Sequence, residues 1–382
     1  MVYRDYCKYD APARLVLSPT NHAVSNILFT GFPGFLGSEL LPRVLSRSAE
    51  NMALCLVQPK FLSAARQRAA AIVSARPQLA NRISLIEGDI TVQGLGLRGE
   101  RRDISEIYHL AAAYDLAVPR DVAMRVNVQG TRNVLELAKD QSVFQRLHYV
   151  STCYVSGRFA GVFRESDLEA GQTFNNFYEE TKYLAEVDVQ ATMRAGLPMT
   201  IYRPAIVVGD SVTGVTQKFD GPYFMMQWLM RQPRLAILPV MWPSSRYHFN
   251  VVPSDFVVKA IEYLSSLSTS ASQVYQLADP NPLTVDELIT AVAAATGRTV
   301  LRIPMTASLA KAAIDHVPGV YRVMRIPSAA VDYMIHPTTY DTTNAERDLA
   351  PAGIRVPPLR DYLPRLVDFL RAHPDLGSKA MV

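Results

Sequence analysis

The sequence predicts an α/β fold built on a doubly wound parallel sheet of the Rossmann type. Two observations support this fold class. Short apolar runs alternate with stretches of helical spacing between residues 26 and 202, and a glycine-rich turn follows the first apolar run. Strands that alternate with helices in this way pair in parallel, since each crossover helix returns the chain to the same end of the sheet.

The elements follow one another in a regular order. The apolar runs that we assign as strands are residues 26–30, 53–57, 83–87, 106–110, 146–150, 199–202 and 273–277. The stretches with helical spacing are residues 37–45, 62–73, 122–139, 177–195, 251–264, 285–296, 308–315 and 361–372. Between residues 211 and 247 the pattern changes to a segment rich in glycine, proline, methionine and aromatic residues.

The turn after the first strand is the segment Thr30-Gly31-Phe32-Pro33-Gly34-Phe35-Leu36-Gly37. Its glycines have the spacing G-x-x-G-x-x-G. Gly31 permits a tight turn, Gly34 lets the backbone approach a pyrophosphate, and Gly37 allows the helix to pack closely on the strand. The helix N-terminus then offers N–H groups and a partial positive charge to phosphates. These eight residues are therefore predicted to bind a dinucleotide.

The end of the second strand bears on the choice between NAD(H) and NADP(H). An acidic residue there binds the ribose 2′-hydroxyl, whereas a basic residue accommodates a 2′-phosphate. The strand is followed by Gln58-Pro59-Lys60 without an acid, and Arg66 and Arg68 lie on the next helix. Lys60 with Arg66 or Arg68 can meet a 2′-phosphate, so we favour NADP(H). The alternative is that all three are exposed residues near a helix start.

Tyr178 and Lys182 are four residues apart in a predicted helix and therefore share one of its faces. A nearby ammonium favours the phenolate, which eases proton transfer through the tyrosine oxygen near neutral pH. The pattern Tyr-x-x-x-Lys by itself occurs by chance in many helices. Here it follows Thr152 by 26 residues and comes after the glycine-rich turn. That order predicts a site for hydride transfer.

With these motifs in order, the chain resembles the extended short-chain dehydrogenase/reductases over residues 25–280. The residues that carry the resemblance are Thr30 to Gly37, Gly88-Asp89-Ile90, His109-Leu110-Ala111-Ala112, Val126 to Thr131, Val150-Ser151-Thr152, Tyr178 to Lys182 and Arg203-Pro204. The long segment between the second and third strands is similar to that of the thioester-reductase and fatty acyl-CoA reductase branch. Gln58 differs from the arginine that this branch often has.

The resemblance implies a role for each matched residue. Tyr178 would be the general acid, and Lys182 its electrostatic partner and a ribose ligand. Thr152 would hydrogen-bond the reacting carbonyl, with Ser151 as the competing candidate. Asn127 would support a proton relay or, alternatively, pack as a polar residue between helices. The remaining residues of the implied cofactor site are Asp89 and Ile90 beside the adenine, together with Gln58, Leu110, Ala111, Ala112, Arg203 and Pro204.

The resemblance also implies an NAD(P)H-dependent reductase. We expect hydride transfer to the carbonyl carbon of an acyl thioester or of the derived aldehyde. The acyl chain would arrive on coenzyme A or on a carrier protein, and residues 219–242 would either line a tunnel for it or pack as an ordinary core. The alternative is an extended reductase, dehydrogenase or epimerase for a free ketone, sterol, aromatic natural product or nucleotide sugar.

The change of composition after Gly209 predicts two units. We expect residues 25–210 and 248–280 to form the NAD(P)-binding domain. Residues 211–247 and 281–382 would form a smaller, discontinuous, mainly helical substrate lobe, and residues 1–24 an N-terminal extension. The resemblance further implies a homodimer through the two long helices near 122–139 and 177–195.

Composition limits the class of protein. The chain of 382 residues has 49% hydrophobic and 19% charged residues and a net charge of +4, which is too small to indicate nucleic-acid binding. Neither its three cysteines nor its histidines have metal-ligand spacing, so we expect no metal and a reducing compartment. With no signal peptide and no run of eighteen apolar residues, we expect a cytoplasmic protein without a membrane span.

Overall fold

The computed structural model describes residues 25–97, 103–318 and 320–377, so the predicted N-terminal extension, residues 1–24, lies outside the described ranges. The strands are β1 (Ser25–Thr30), β2 (Asn51–Val57), β3 (Ile83–Glu87), β4 (Ile104–His109), β5 (Arg146–Val150), β6 (Gly161–Phe163), β7 (Met199–Pro204), β8 (Ile206–Val208), β9 (Leu235–Met241), β10 (Val251–Pro253), β11 (Gln273–Leu277), β12 (Thr299–Met305) and β13 (Thr338–Tyr340).

The helices connect these strands and extend beyond them. They are α1 (Phe35–Leu45), α2 (Leu62–Ala75), α3 (Arg120–Ala123), α4 (Gly130–Lys139), α5 (Phe177–Arg194), α6 (Pro222–Met230), α7 (Ser254–Ser266), α8 (Val285–Thr296), α9 (Ala307–His316), α10 (Val320–Met324), α11 (Ala329–Tyr333), α12 (Thr343–Leu349) and α13 (Leu359–Ala372). A π-helical turn, Met124–Gln129, joins α3 to α4. Among the described helices, none has the length and apolar character that a membrane span requires.

Seven parallel strands form the central sheet in the order β11-β7-β5-β4-β1-β2-β3. The chain winds outward from β1 through β2 to β3, and outward in the other direction from β4 to β11. The strand order therefore reverses between β1 and β4, and the crevice beyond their carboxyl ends is where such sheets bind ligands. The predicted doubly wound parallel sheet is confirmed.

Both faces of the sheet are covered, which is why its strands are continuous apolar runs. Ile27 and Phe29 of β1 pack in a buried cluster with α1 and α7, whereas Leu28 between them packs on the opposite face with α4 and α5. Successive side chains of a strand point to opposite faces, so adjacent apolar residues serve two separate cores. The sheet is thereby held in the middle layer of three.

A third core lies beside the sheet and contains apolar residues of α6, α8, α13 and β9. Strand β9 pairs in parallel with β12, and β13 pairs with β6. Within the predicted substrate lobe, α12 is an exception because it packs against α7 and β11. Ala345 and Leu349 of α12 belong to the sheet core, so residues 343–349 join the sheet rather than the lobe.

Candidate active site

A cleft of about 850 Å³ opens at the carboxyl ends of the central strands. Residues that directly follow β1 to β5 and β7 line it, and α6 and α11 contribute residues on the opposite side. The predicted site residues that line this cleft are Thr30, Gly31, Phe32, Pro33, Gly34, Phe35, Leu36, Gly37, Gln58, Lys60, Asp89, Ile90, Leu110, Ala111, Ala112, Ser151, Thr152, Tyr178, Lys182 and Pro204.

Two glycines of the glycine-rich turn lie so close to neighbouring backbone atoms that neither position has room for a Cβ atom. Gly31 has φ 88°, and a Cβ atom there would lie 2.8 Å from the backbone nitrogen of Ala111. A Cβ atom on Gly37 would lie 2.8 Å from the carbonyl oxygen of Gly31. Helix α1 begins after Gly34 without a side-chain cap from the described residues. The residues of its first turn line the cleft together with the glycine-rich turn, and the N–H groups of a helix N-terminus without a cap can form a cradle for an anion.

A buried histidine ties the ends of β1 and β4 together below this turn. Nδ1 of His109 lies 2.7 Å from Oγ1 of Thr30, and its Nε2 lies 3.1 Å from Oγ1 of Thr131. The N–H of Ala111 also donates to Oγ1 of Thr30. Burial, assisted by the charge of Lys182, lowers the pKa of His109 to about 3, so its ring is neutral. Thr30 thus supports the cleft floor through its side chain.

Thr152 and Tyr178 stand on one wall of the cleft. Burial raises the pKa of Tyr178 to about 12, and a hydrogen bond with Thr152 opposes that rise without cancelling it. The phenol therefore keeps its proton at neutral pH and can donate it. Oγ1 of Thr152 also accepts from the N–H of Tyr154 at 3.3 Å. The two hydroxyl groups form a pair that can bind one carbonyl oxygen.

Lys182 is buried at the foot of the same wall. Its Nζ donates to the hydroxyl of Tyr149 at 3.1 Å and to the carbonyl of Val150 at 2.9 Å. Burial lowers the pKa of Lys182 to about 8, against the opposing charge of Glu186. We expected this ammonium to lower the pKa of Tyr178, and that expectation is wrong for the protein alone. Burial of the phenol dominates, and the ammonium is held by Tyr149 and Val150.

Ser151 and Arg203 share one buried carboxylate. The hydroxyl of Ser151 donates to Glu186, whose Oε1 also accepts from Nη2 of Arg203 at 2.6 Å. Arg203 further donates to the carbonyl of Asp167 at 2.8 Å and is fully buried. The predicted contact of Arg203 with the cofactor is therefore not supported, because its guanidinium lies outside the cleft lining and is bound by the protein.

The side chain of Asn127 links the backbone at Ala113 to helix α5. Its Nδ2 donates to the carbonyl of Ala113 and to Oγ1 of Thr181, both at 3.0 Å. Its Oδ1 accepts from the N–H of Ala113 at 2.7 Å. Asn127 is buried and lies outside the cleft lining. The structure therefore favours the packing alternative, because both donors and one acceptor of the amide already have partners.

The part of the cleft beside the ends of β2 and β3 contains a hydrogen bond between two residues of the predicted cofactor site. Nε2 of Gln58 donates to Oδ2 of Asp89 at 2.9 Å, and the other carboxylate oxygen accepts from the N–H of Thr91. Lys60 follows on the same side, with its Nζ 4.9 Å from the ring centroid of Phe61. Arg66 is exposed on α2 and does not line the cleft. Its predicted contact with the cofactor is not supported.

Sequence reasoning missed a group of cleft residues on the side of the lobe. Nζ of Lys218 lies 4.0 Å above the ring of Tyr114 and pairs with Asp220. Tyr333 of α11 lines the cleft as well. Lys218 and Asp220 lie in the aromatic-rich segment 211–247, which gives no periodicity from which to choose a face, and Tyr114 and Tyr333 belong to no motif that the sequence analysis identified. Within the described ranges, no group of three or more His, Cys, Asp or Glu is placed to hold a metal ion.

The chain is similar to known reductases and peptide synthetases. A family model described as Male sterility protein matches residues 29–261. The non-canonical nonribosomal peptide synthetase cpsA of Aspergillus campestris is 30% identical over 271 residues, which are 66% of this chain and 25% of that protein. The fatty acyl-CoA reductase wat of Drosophila melanogaster is 26% identical over 277 residues, covering 62% of this chain and 53% of that protein. The chain thus spans less than two thirds of the length of either relative.

A solved structure matches nearly the whole chain. The terminal R domain from the myxalamid PKS-NRPS biosynthetic pathway is 27% identical and superimposes with a TM-score of 0.77, over 94% of this chain and 93% of that one. The predicted resemblance to the thioester-reductase and fatty acyl-CoA reductase branch is confirmed. The chain belongs to the Male sterility protein family.

Proposed function

We propose that the chain is an NAD(P)H-dependent reductase that acts on an acyl thioester carried by coenzyme A or by a carrier protein. The observation that carries the proposal is the shared cleft, whose lining contains Thr152, Tyr178 and Lys182 together with the glycine-rich turn. The relatives named as a nonribosomal peptide synthetase and as a fatty acyl-CoA reductase support a thioester as the substrate.

The cradle around Gly31 and the first turn of α1 would hold the pyrophosphate of the cofactor. Gln58 and Asp89 would contact the adenosine, and Lys60 beside them would pair with a 2′-phosphate, which is why we propose NADPH over NADH. Lys182 would contact the nicotinamide ribose. When bound, the nicotinamide supplies the hydride that adds to the carbonyl carbon.

The hydroxyl groups of Thr152 and Tyr178 would bind the carbonyl oxygen and polarise it. As the carbon accepts hydride, the oxygen takes the proton of Tyr178, so a thioester becomes a hemithioacetal. Collapse of the hemithioacetal breaks its carbon–sulfur bond, and the hydroxyl proton passes to sulfur to give an aldehyde and a free thiol. Lys182 would stabilise the phenolate on Tyr178 only with cofactor bound, since in the protein alone its Nζ is held by Tyr149 and Val150. A second cycle on the aldehyde would give the alcohol.

We also propose a cytoplasmic homodimer. Cys55 and Cys153 are buried free thiols, which fits a reducing compartment. Helices α4 and α5 run side by side, linked at the surface by the ion pair of Arg132 with Asp188, and would supply the contact between copies. Sedimentation equilibrium at several protein concentrations tests the dimer, and a single monomeric mass would contradict it.

The purified chain tests the reaction directly. We expect oxidation of NADPH with an acyl-CoA series and no comparable rate with ketones, sterols or nucleotide sugars. Aldehyde and thiol should form in equal amounts during the first turnover, which a carbonyl-trapping reagent and a thiol reagent measure. Turnover of a ketone without any thioester activity would overturn the proposed substrate class and leave only the hydride-transfer chemistry.

A further inference from the structure

A second cavity of about 230 Å³ lies between α6, β9, α8, α9 and α11. Five of its lining residues are methionines, namely Met225, Met241, Met305, Met324 and Met334. Among the described residues that line it, none has a side-chain nitrogen or oxygen. We call this cavity the methionine chamber.

The methionine chamber borders the active-site cleft. Gly221, Phe224, Ala330 and Met334 line both cavities. The cleft carries Tyr178 and Thr152 farther along its wall. The shared residues make the chamber the direct neighbour of the cleft on the side of Phe224 and Met334.

We infer that the methionine chamber binds the end of an unbranched aliphatic chain on the acyl substrate. This inference rests on the proposed function and specifies the substrate class. A polar or charged group in the chamber would lose its hydration without gaining a hydrogen bond to any lining side chain. An alkyl chain has no such cost, and its burial is favourable in proportion to its area.

The size and the lining of the chamber support this occupant. Sites for complete drug-sized ligands measure about 300–1,000 Å³, so the chamber fits one end of a larger molecule rather than a separate ligand. Methionine side chains are unbranched and adapt to irregular apolar surfaces, which suits a flexible chain. An empty apolar cavity deprives its lining atoms of contacts, and an alkyl chain restores them.

The value of kcat/KM should depend on the length of the acyl chain of the substrate. Each methylene that enters the chamber should raise kcat/KM about fourfold, the effect of burying one CH₂ group. The gain should stop once the chamber is full. A hydroxyl or carboxyl group at the far end of the chain should cancel the gain, since it would be buried without a partner.

Helix α9 offers a matched pair of variants. Ala313 lines the chamber, whereas its neighbour Ala312 is exposed. Ala313→Phe should fill the chamber, so that long chains lose their advantage while short chains react as before. Ala312→Phe adds the same ring to the same helix and should leave the chain-length profile unchanged. Met241→Ala should enlarge the chamber and move the optimum to longer chains, which keeps the test valid should Ala313→Phe fail to fold.

A binding experiment separates this inference from the proposed function. 1-Decanol should raise the melting temperature of the wild type in a concentration-dependent way, and Ala313→Phe should abolish that rise without any need for catalysis. Thioester reduction with a flat chain-length profile would overturn the inference and leave the function standing. Failure to reduce any thioester would overturn the function, while the decanol shift would still support an alkyl site. No shift in the wild type overturns that site.

Discussion

Oε1 of Glu186 lies 2.6 Å from Nη2 of Arg203, and neither side chain is exposed. The other carboxylate oxygen of Glu186 accepts from the hydroxyl of Ser151. One buried acid therefore holds the ends of β5 and β7, where Ser151 and Arg203 lie, against α5. Thr152, next in the chain, lines the cleft, and its hydroxyl donates to the carbonyl of Pro204 at 3.4 Å. This arrangement gives Ser151 and Arg203 a structural role, and Thr152 stays our proposed residue for contact with the substrate.

Removal of Glu186 should destabilise the fold strongly. Glu186→Ala leaves the guanidinium of Arg203 buried without its counter-charge, which costs about 3–5 kcal/mol. Glu180 on the same helix pairs with Arg120 at the surface, where solvent screens the two charges, so loss of this pair should cost far less. Urea denaturation of both alanine variants compares the two free energies of unfolding. Equal losses in the two variants would contradict the structural role of Glu186.

Replacement of Tyr178 by phenylalanine should slow the chemical step. Without the phenol proton, the carbonyl oxygen has no acid at hand, and general acid catalysis is worth about 10²- to 10⁴-fold. Single-turnover oxidation of bound NADPH in the presence of thioester measures this step. Tyr183→Phe removes a hydroxyl from the same helix outside the cleft lining and should leave the rate unchanged. A near-normal rate for Tyr178→Phe would exclude it as the acid.

The pH profile should report the buried ammonium. Because burial lowers the pKa of Lys182 to about 8, the side chain is charged below that pH and neutral above it. If the charge is needed, kcat/KM for NADPH should be level below pH 8 and fall about tenfold for each pH unit above it.

Lys182→Arg provides the control for that profile, because a guanidinium keeps its proton across the range. The alkaline decline should disappear in Lys182→Arg even though the absolute rate is lower. NADPH binding followed by fluorescence gives the same comparison should the variant be inactive. A decline near pH 8 that persists in the variant would assign it to another group.

Preference for NADPH should depend on Lys60. Lys60→Ala should raise the KM for NADPH about 10- to 100-fold, the value of a charged hydrogen bond, and leave the KM for NADH unchanged. Arg66→Ala removes a positive charge from the exposed face of α2, outside the cleft, and should alter neither constant. Equal effects of the two substitutions would point to general attraction of the cofactor rather than to contact with a 2′-phosphate.

Local patterns in the sequence predicted the sheet well. The predicted strands at 83–87, 146–150 and 273–277 have the bounds of β3, β5 and β11. A buried parallel strand is a short apolar run between turn signals, so its ends are visible locally. The helix predicted over 251–264 was wrong at its start, because Val251–Pro253 pairs with β8 and the helix begins at Ser254.

The helix and the strand within residues 211–247 could not be predicted from the sequence. This segment contains α6 and β9, which supply much of the core beside the sheet and part of the methionine chamber. Glycine, proline and methionine in succession give neither a period of two nor a period of 3.6 residues. Strand β9 also depends on β12, more than fifty residues later, and such a partner leaves no trace in the local pattern.

The sequence by itself determined the parallel sheet, the glycine-rich turn and the order of Thr152, Tyr178 and Lys182. Each of these is visible from short local patterns and from their order along the chain. Only the tertiary structure decided that Arg203 pairs with Glu186, that burial raises the pKa of Tyr178, and that a chamber adjoins the cleft. Burial and side-chain partners come from residues far apart in the chain, so they exist only once the fold has brought those residues together.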